Sequence, residues 1–252
     1  NFISNKRIKS NYPLERLTAF IDAPIEIHLI STLWTIRQGV LLDAELIENC
    51  IGNRLLLNKE KKGIVHGSGL FKPYYKQYQK WRDESVRVAQ ELLNNDNDVL
   101  FLNLDVKDYF HSVRIPNNLI LKETYHLATN NLEKLLLKTH HLYTKKISSQ
   151  YKLPYDFESE LDFDENNNLL ESILPIGLLS SYVLANYYLK DFDKRIVEKY
   201  KPAYYGRYVD DILIVLSDPN PNSNIEETNE EFKFSFSKYK ARVNRKKDIH
   251  YK

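Results

Sequence analysis

The stretch Ala203-Tyr204-Tyr205-Gly206-Arg207-Tyr208-Val209-Asp210-Asp211-Ile212-Leu213-Ile214-Val215-Leu216 holds two short runs rich in aromatic and β-branched residues, 203–208 and 212–216, on either side of an acidic pair. Runs of that composition and length predict strands. The joining tetrapeptide, Tyr208-Val209-Asp210-Asp211, then becomes a hairpin tip presenting two adjacent carboxylates. Asp is at home in a turn, where it bonds its own backbone, so an isolated Asp-Asp pair ordinarily reads as a solvated turn. Adjacent carboxylates also repel each other unless solvent or a cation lies between them, and a hard divalent cation such as Mg2+ prefers such oxygen ligands.

A second acid decides between these readings. Upstream, Val99-Leu100-Phe101-Leu102-Asn103-Leu104 is an almost wholly apolar run of strand length, the pattern of a strand buried on both faces, and it ends in Asp105. A charge at the end of a buried strand is solvated at the sheet edge or bound to a partner or metal. Placed beside the hairpin, Asp105 completes a three-carboxylate cluster with Asp210 and Asp211.

Three segments, taken in order, carry a resemblance. Asp105-Val106-Lys107-Asp108-Tyr109-Phe110 keeps an aromatic five positions beyond its first Asp. Pro175-Ile176-Gly177-Leu178-Leu179-Ser180-Ser181-Tyr182-Val183-Leu184-Ala185-Asn186 follows, and Tyr208 to Asp211 closes the series. In order and spacing these resemble the catalytic motifs of the reverse transcriptases. The middle segment aligns without gaps to a Pro-Gln-Gly pattern followed by Ser and then Leu-Ala-Asn, with Ile176 where the family carries Gln. That departure points away from retroviral enzymes, and the wording around it looks most like the bacterial abortive-infection and defence-associated reverse transcriptases.

The resemblance implies an α+β fold, a right-hand polymerase with fingers and palm, the palm an antiparallel sheet backed by helices and the thumb not evident. It divides the chain into an N-terminal part of the fingers (1–97), palm with the first motif (98–117), a fingers insertion (118–173), and palm with the remaining motifs (174–252). It implies two Mg2+ ions, or Mn2+ in their place, on Asp105, Asp210, Asp211 and the backbone carbonyl of Val106. Deoxynucleoside triphosphates are the implied substrates, with an RNA template and a nucleic-acid or protein primer as partners. The backbone of Lys107, Asp108 and Tyr109 would lie near the triphosphate, with Gly177 also lining the nucleotide site. Phe110 would sit under the sugar and exclude a 2′-hydroxyl. Asn244-Arg245-Lys246-Lys247 resembles the motif that supplies a lysine near the leaving pyrophosphate, and Lys247 takes that catalytic role. Ser181, Asn186 and Tyr208 are candidates for touching template or primer. Three other readings stand beside this one: untemplated extension of a protein or nucleic-acid primer at the same site, an RNA polymerase, and a non-catalytic RNA-binding scaffold.

Composition narrows the field. Lys and Arg number 36 against 34 Asp and Glu, a formal charge of +2, so a nucleic acid must be met by local patches. One such patch is Lys6, Arg7 and Lys9; another gathers Lys238, Lys240, Arg242, Arg245, Lys246, Lys247 and Lys252. The single cysteine, Cys50, excludes an internal disulfide and reads as a small core residue. No apolar run approaches the roughly 18 residues that span a bilayer, and no signal-peptide core opens the chain, so a cytoplasmic, non-membrane protein is expected. With no methionine in a chain of this length, a piece of a longer protein is one expectation.

Elsewhere, residues 14–51 predict two helices flanking Pro24. The glycines of 63–69 read as a flexible loop or a phosphate cradle, with nothing to favour the latter. Leu70 to Arg82 interleaves basic and aromatic residues; Tyr74, Tyr78, Trp81, Val88 and Leu92 share one helical face, and Lys72, Lys76 and Arg82 are candidates to reach the triphosphate from a fingers helix. Residues 119–142 read as helical, and the acidic segment with Asp156, Glu158, Glu160, Asp162, Asp164 and Glu165 reads as an outer loop. His140 and His141 lack partners at metal-ligand spacing. From Leu178, apolar residues four and three apart predict one long helix with a single buried stripe.

Overall fold

The computed structural model describes residues 18–121, 131–150, 162–166 and 168–217, with the backbone of 242–251. The patch at Lys6, Arg7 and Lys9, the acids at 156, 158 and 160, and Lys238, Lys240 and Lys252 lie outside the described residues. Along the chain run α1 (Ile25–Trp34), a π-helical turn (Thr35–Gly39), α2 (Val40–Ala44), α3 (Tyr74–Asn94), β1 (Val99–Lys107), α4 (Tyr109–Ser112), β2 (Ile115–Pro116), α5 (Asn117–Leu121), α6 (Asn131–Gln150), β3 (Glu171–Ser172), α7 (Leu179–Tyr188), α8 (Lys190–Tyr200), β4 (Tyr204–Tyr208), β5 (Asp211–Ser217) and β6 (Arg242–Tyr251).

The three expected strands, β4, β5 and β1, form an antiparallel sheet that β6, not expected as a strand, extends, in the order β4-β5-β1-β6. Asp105 pairs with Asp211 at one end of the β1–β5 ladder and Val99 with Ser217 at the other. β1 alternates buried and half-buried positions instead of burying both faces. Leu100, Leu102, Leu104 and Val106 enter the core, while Phe101, Asn103, Asp105 and Lys107 stand on the partly open face. The apolar run misled because Phe101 needs only partial cover.

Each face of the sheet has its own helical cover. On the face of Asp105, α3 lies along β4 and β5. Trp81 donates its indole N–H to Gly206 O at 2.9 Å, and a Cβ on Gly206 would run into the Trp81 and Tyr204 rings. Ala89, Val99 and Val215 continue this contact towards the far end of the sheet. The helix expected in the fingers thus packs on the sheet itself.

On the reverse face α7 and α8 replace the single helix expected. They break at Leu189, whose φ −93°, ψ 8° leaves helical geometry. The break lets α8 turn Phe192, Asp193 and Ile196 inward. Nor does α7 carry one stripe: Ser180, Ser181 and Val183 through Tyr187 are all buried, because α1, the π-helical turn and α2 pack on the side that the sheet leaves free. Pro24, expected between two helices, instead precedes α1 as its N-cap, a place where its missing N–H is harmless. Helix is also present within 119–142, as α5 and α6, with 122–130 outside the described residues. Among the described residues no helix is long and apolar enough to cross a membrane.

Candidate active site

β1 and β5 bring the three predicted acids to one end of the sheet. Asp105 and Asp211 are direct cross-strand partners, and the next residue in the turn, Asp210, accepts a hydrogen bond from Val106 N–H through its carbonyl at 3.0 Å. All three are half-buried. Directly opposed like charges destabilise a sheet, and carboxylate oxygens are the donors a hard divalent cation takes, so this donor set fits Mg2+. The expected three-carboxylate cluster is nevertheless not closed: among the described residues no three His, Cys, Asp or Glu side chains converge as a metal site. Mutually repelling carboxylates have no reason to converge by themselves.

The acidic tip is braced from behind. Val209 sits at φ +61°, a left-handed conformation that β-branched residues rarely adopt. Arg207, fully buried, donates from Nη1 to Val209 O at 2.7 Å and to Asn186 Oδ1 at 3.1 Å. Its Nε and Nη2 grip both oxygens of Asp193 at 2.7 Å, and Nη2 also reaches Asn186 O at 3.0 Å and Cys50 Sγ at 3.2 Å. Tyr205 O–H completes the carboxylate at 2.5 Å. Burial alone would lower the guanidinium's pKa, but the Asp193 charge outweighs it and holds Arg207 protonated well above its ordinary value. Burial pushes the Cys50 thiol up to about 11, so it stays neutral.

The segment before β4's outer edge closes the brace. Ile51 N–H donates to Arg207 O, and Arg207 N–H to Asn49 O, each at 2.8 Å. Gly52 is glycine for a reason of space: a Cβ there would lie 2.9 Å from the Tyr208 ring and from Val209 N. Its carbonyl accepts from Asn186 Nδ2 at 2.7 Å.

These contacts correct two expectations. Ser181 and Asn186 are not surface residues on a template track but wholly buried; Ser181 Oγ donates to Pro175 O at 2.7 Å, and Asn186 ties α7 to the hairpin. The Tyr208 ring is also enclosed, within 6.0 Å of the Tyr74, Tyr78 and Trp81 rings. The member of that stack open to solvent is Tyr74, at 65% exposure.

The other predicted residues are spread more widely. Lys107 is half-buried and follows Val106 on β1; Asp108 turns the chain at φ +50° into α4. Tyr109 is buried and donates to Ala185 O at 2.6 Å. Phe110 meets Tyr109 and Tyr182 edge-on, each about 6 Å between centroids. Gly177 is exposed, at φ +113°, where a Cβ would press on Ile21. Lys247 stands on β6 opposite Asn103, two residues along β1 from Asp105.

Lys72 is half-buried, its pKa lowered by burial and by Arg54. It lines a basic pocket of about 400 Å³ with Lys59, Lys61 and Lys80. Cys50 and Ile51 wall that pocket, so it is built at the outer edge of β4, with β5 between it and the strand of Asp105. Lys76 is exposed, and Arg82 is paired with Asp83 at 2.8 Å on the surface of α3.

Arg207, Asp193 and Gly52 were given no role from the sequence. A signal existed for two of them: an arginine inside an apolar strand, and an aspartate spaced between Leu189 and Ile196 on the buried side of a helix, imply a buried pair. Nothing in the sequence marks Gly52.

No curated protein matches the chain. Among solved structures, telomerase from Candida albicans in complex with a fragment of telomeric RNA is similar over 89% of this chain and 34% of that one, at 13% identity and a TM-score of 0.40. The chain therefore spans about a third of that structure's length. The model of the family described as reverse transcriptase (RNA-dependent DNA polymerase) matches residues 47–250, a span containing β1, the Pro175 to Asn186 segment and the acidic hairpin, and the chain belongs to the reverse transcriptase family.

Proposed function

We propose that this chain is the fingers and palm part of an RNA-directed DNA polymerase that adds deoxynucleotides at Asp105, Asp210 and Asp211. The observation that carries the reading is the cross-strand opposition of Asp105 and Asp211 with Asp210 beside them in the turn, a gathering of carboxylate oxygens of the kind a hard divalent cation takes as ligands. Asp105 and Asp210, with the Val106 carbonyl, would hold two Mg2+ ions, or Mn2+. Bound there, such ions lower the pKa of an attacking 3′-hydroxyl and stabilise charge on the leaving pyrophosphate.

The chain's own part is position and exclusion. The turn at Asp108 delivers the backbone of Lys107 to Tyr109 close to the acids, where a triphosphate is oriented. Phe110, wedged between Tyr109 and Tyr182, has little freedom to move aside, which suits a wall against a 2′-hydroxyl. Lys247, on the strand beside Asp105, supplies positive charge for the pyrophosphate. An RNA template and a primer are the implied partners. The wording of the Pro175 to Ser181 segment beside Tyr-Tyr-Gly-Arg-Tyr-Val-Asp-Asp supports a place in bacterial antiphage defence.

The test is incorporation by the full-length protein with Mg2+, deoxy- or ribonucleotides, and RNA template with primer supplied or withheld, beside Asp210→Asn. Template-dependent deoxynucleotide addition that disappears in the variant is expected. Equal, negligible incorporation by both proteins under every condition would sink the reading. Loss of phage resistance in cells carrying Asp210→Asn tests the defence role separately.

A further inference from the structure

Val209 is the hinge of the acidic tip: a β-branched residue at φ +61°, held where its surroundings over-determine it. Its N–H side is closed by Gly52 and its carbonyl by Arg207 Nη1 at 2.7 Å. Two further edges of the same guanidinium are fixed by the Asp193 carboxylate and by Asn186. The direction of the Val209 carbonyl is thereby referred to α7 and α8 behind the sheet, two elements that do not carry the acids.

We infer that the Arg207–Asp193 pair is a positioning device for the acidic tip: it holds Val209 in the left-handed conformation and so sets the direction in which Asp210 and Asp211 leave the turn towards Asp105. A buried pair that served the core alone would be complete with Asp193; this one spends a third direction of the guanidinium on the tip. A lysine could pair with Asp193, but one ammonium cannot reproduce the planar fork that reaches carboxylate, Asn186 and Val209 together. Only the catalytic consequence rests on the polymerase reading; the tip geometry does not.

The experiment compares wild type, Arg207→Lys, Val209→Gly and the double variant by amide hydrogen exchange and by nucleotide incorporation. In Arg207→Lys, exchange at the Val106 amide, which is bonded to Asp210 O, should quicken about tenfold while Leu102 and Ile214 in mid-sheet stay protected. Incorporation should fall about a hundredfold in kcat with KM little changed, as misplaced reacting groups do. Glycine tolerates positive φ without strain, so adding Val209→Gly should recover about tenfold of that loss. Uniformly faster exchange across the sheet, or a defect that Val209→Gly leaves untouched, would overturn the inference and make the pair a core brace. Should wild type incorporate nothing while the exchange pattern appears as described, the positioning device stands and the polymerase reading fails.

Discussion

Asp193 reaches the reverse face of the sheet from α8, and Asp105 stands on the front face two strands away from Arg207. Each belongs to a group of charges, and the groups are handled in opposite ways. Asp193 is fully buried, and both its oxygens are taken by an arginine fork and a tyrosine hydroxyl. Asp105, Asp210 and Asp211 are half-buried acids gathered by backbone register, with like charge facing like charge. A buried charge must be neutralised within the fold, or it opposes folding. A half-buried one stays within reach of solvent and of a cation, so the fold need not enclose it. The fold invests hydrogen bonds in the first group to hold the second in a conformation it would not otherwise keep.

The sharpest way to break this comparison is to neutralise one member of each group. On the proposed function, Asp210→Asn should lower incorporation by about a thousandfold or more, since metal-assisted phosphoryl transfer would depend on the carboxylate, while thermal stability stays level or rises as repulsion is relieved. A large fall in Tm would show that Asp210 belongs with the structural acids. Asp193→Ala should do the reverse to the fold. It leaves a buried guanidinium unpaired, a change of roughly 3–5 kcal/mol, read as a fall in Tm of about 10 °C or more in a domain of this size. Unchanged denaturation would show that the reverse-face pair is dispensable.

Asn186→Ala probes the link between the groups. It removes hydrogen bonds to Gly52 O and from Arg207, so about 1–3 kcal/mol of stability should be lost in chemical denaturation, with affinity for nucleic acid unaltered at fixed salt. A variant of normal stability that binds RNA more weakly would restore Asn186 to the template track expected from the sequence.

Local and long-range contacts leave different traces in the sequence. The hairpin and β1 were legible because alternation, β-branching and acids at run ends are local signals, and the paired register then follows from the ladder. Asn186 and Ser181 were misplaced because a helix's polar residues look the same whether solvent or a second layer of helices covers them. The break at Leu189 was missed for a related reason: the apolar spacing runs through it without interruption, and only the need to aim Asp193 at β4 explains it. The three acids were expected together and register brings their positions to one end of the sheet, but the glycine and arginine packed against their turn act through contacts of long sequence separation.

His140 offers the smallest and most discriminating effect, because it falls between the two groups. It is fully buried on α6, and among the described residues its Nε2 has no hydrogen-bond partner. Shut away from solvent, it should stay neutral: burial, then the neighbouring His141, lowers its pKa to about 3. The unfolded chain binds a proton near the ordinary 6.5 while the folded one does not, so the stability His140 contributes is present above that value and is lost as pH falls towards 3. Between pH 7 and 6 this amounts to about 0.7 kcal/mol. His140→Leu keeps the volume and removes the titration, so its denaturation midpoint should fall less than that of wild type over this interval. Equal losses in the two proteins would mean that the imidazole is charged in the fold, and that a buried ionisable group here can do without the pairing that Asp193 receives.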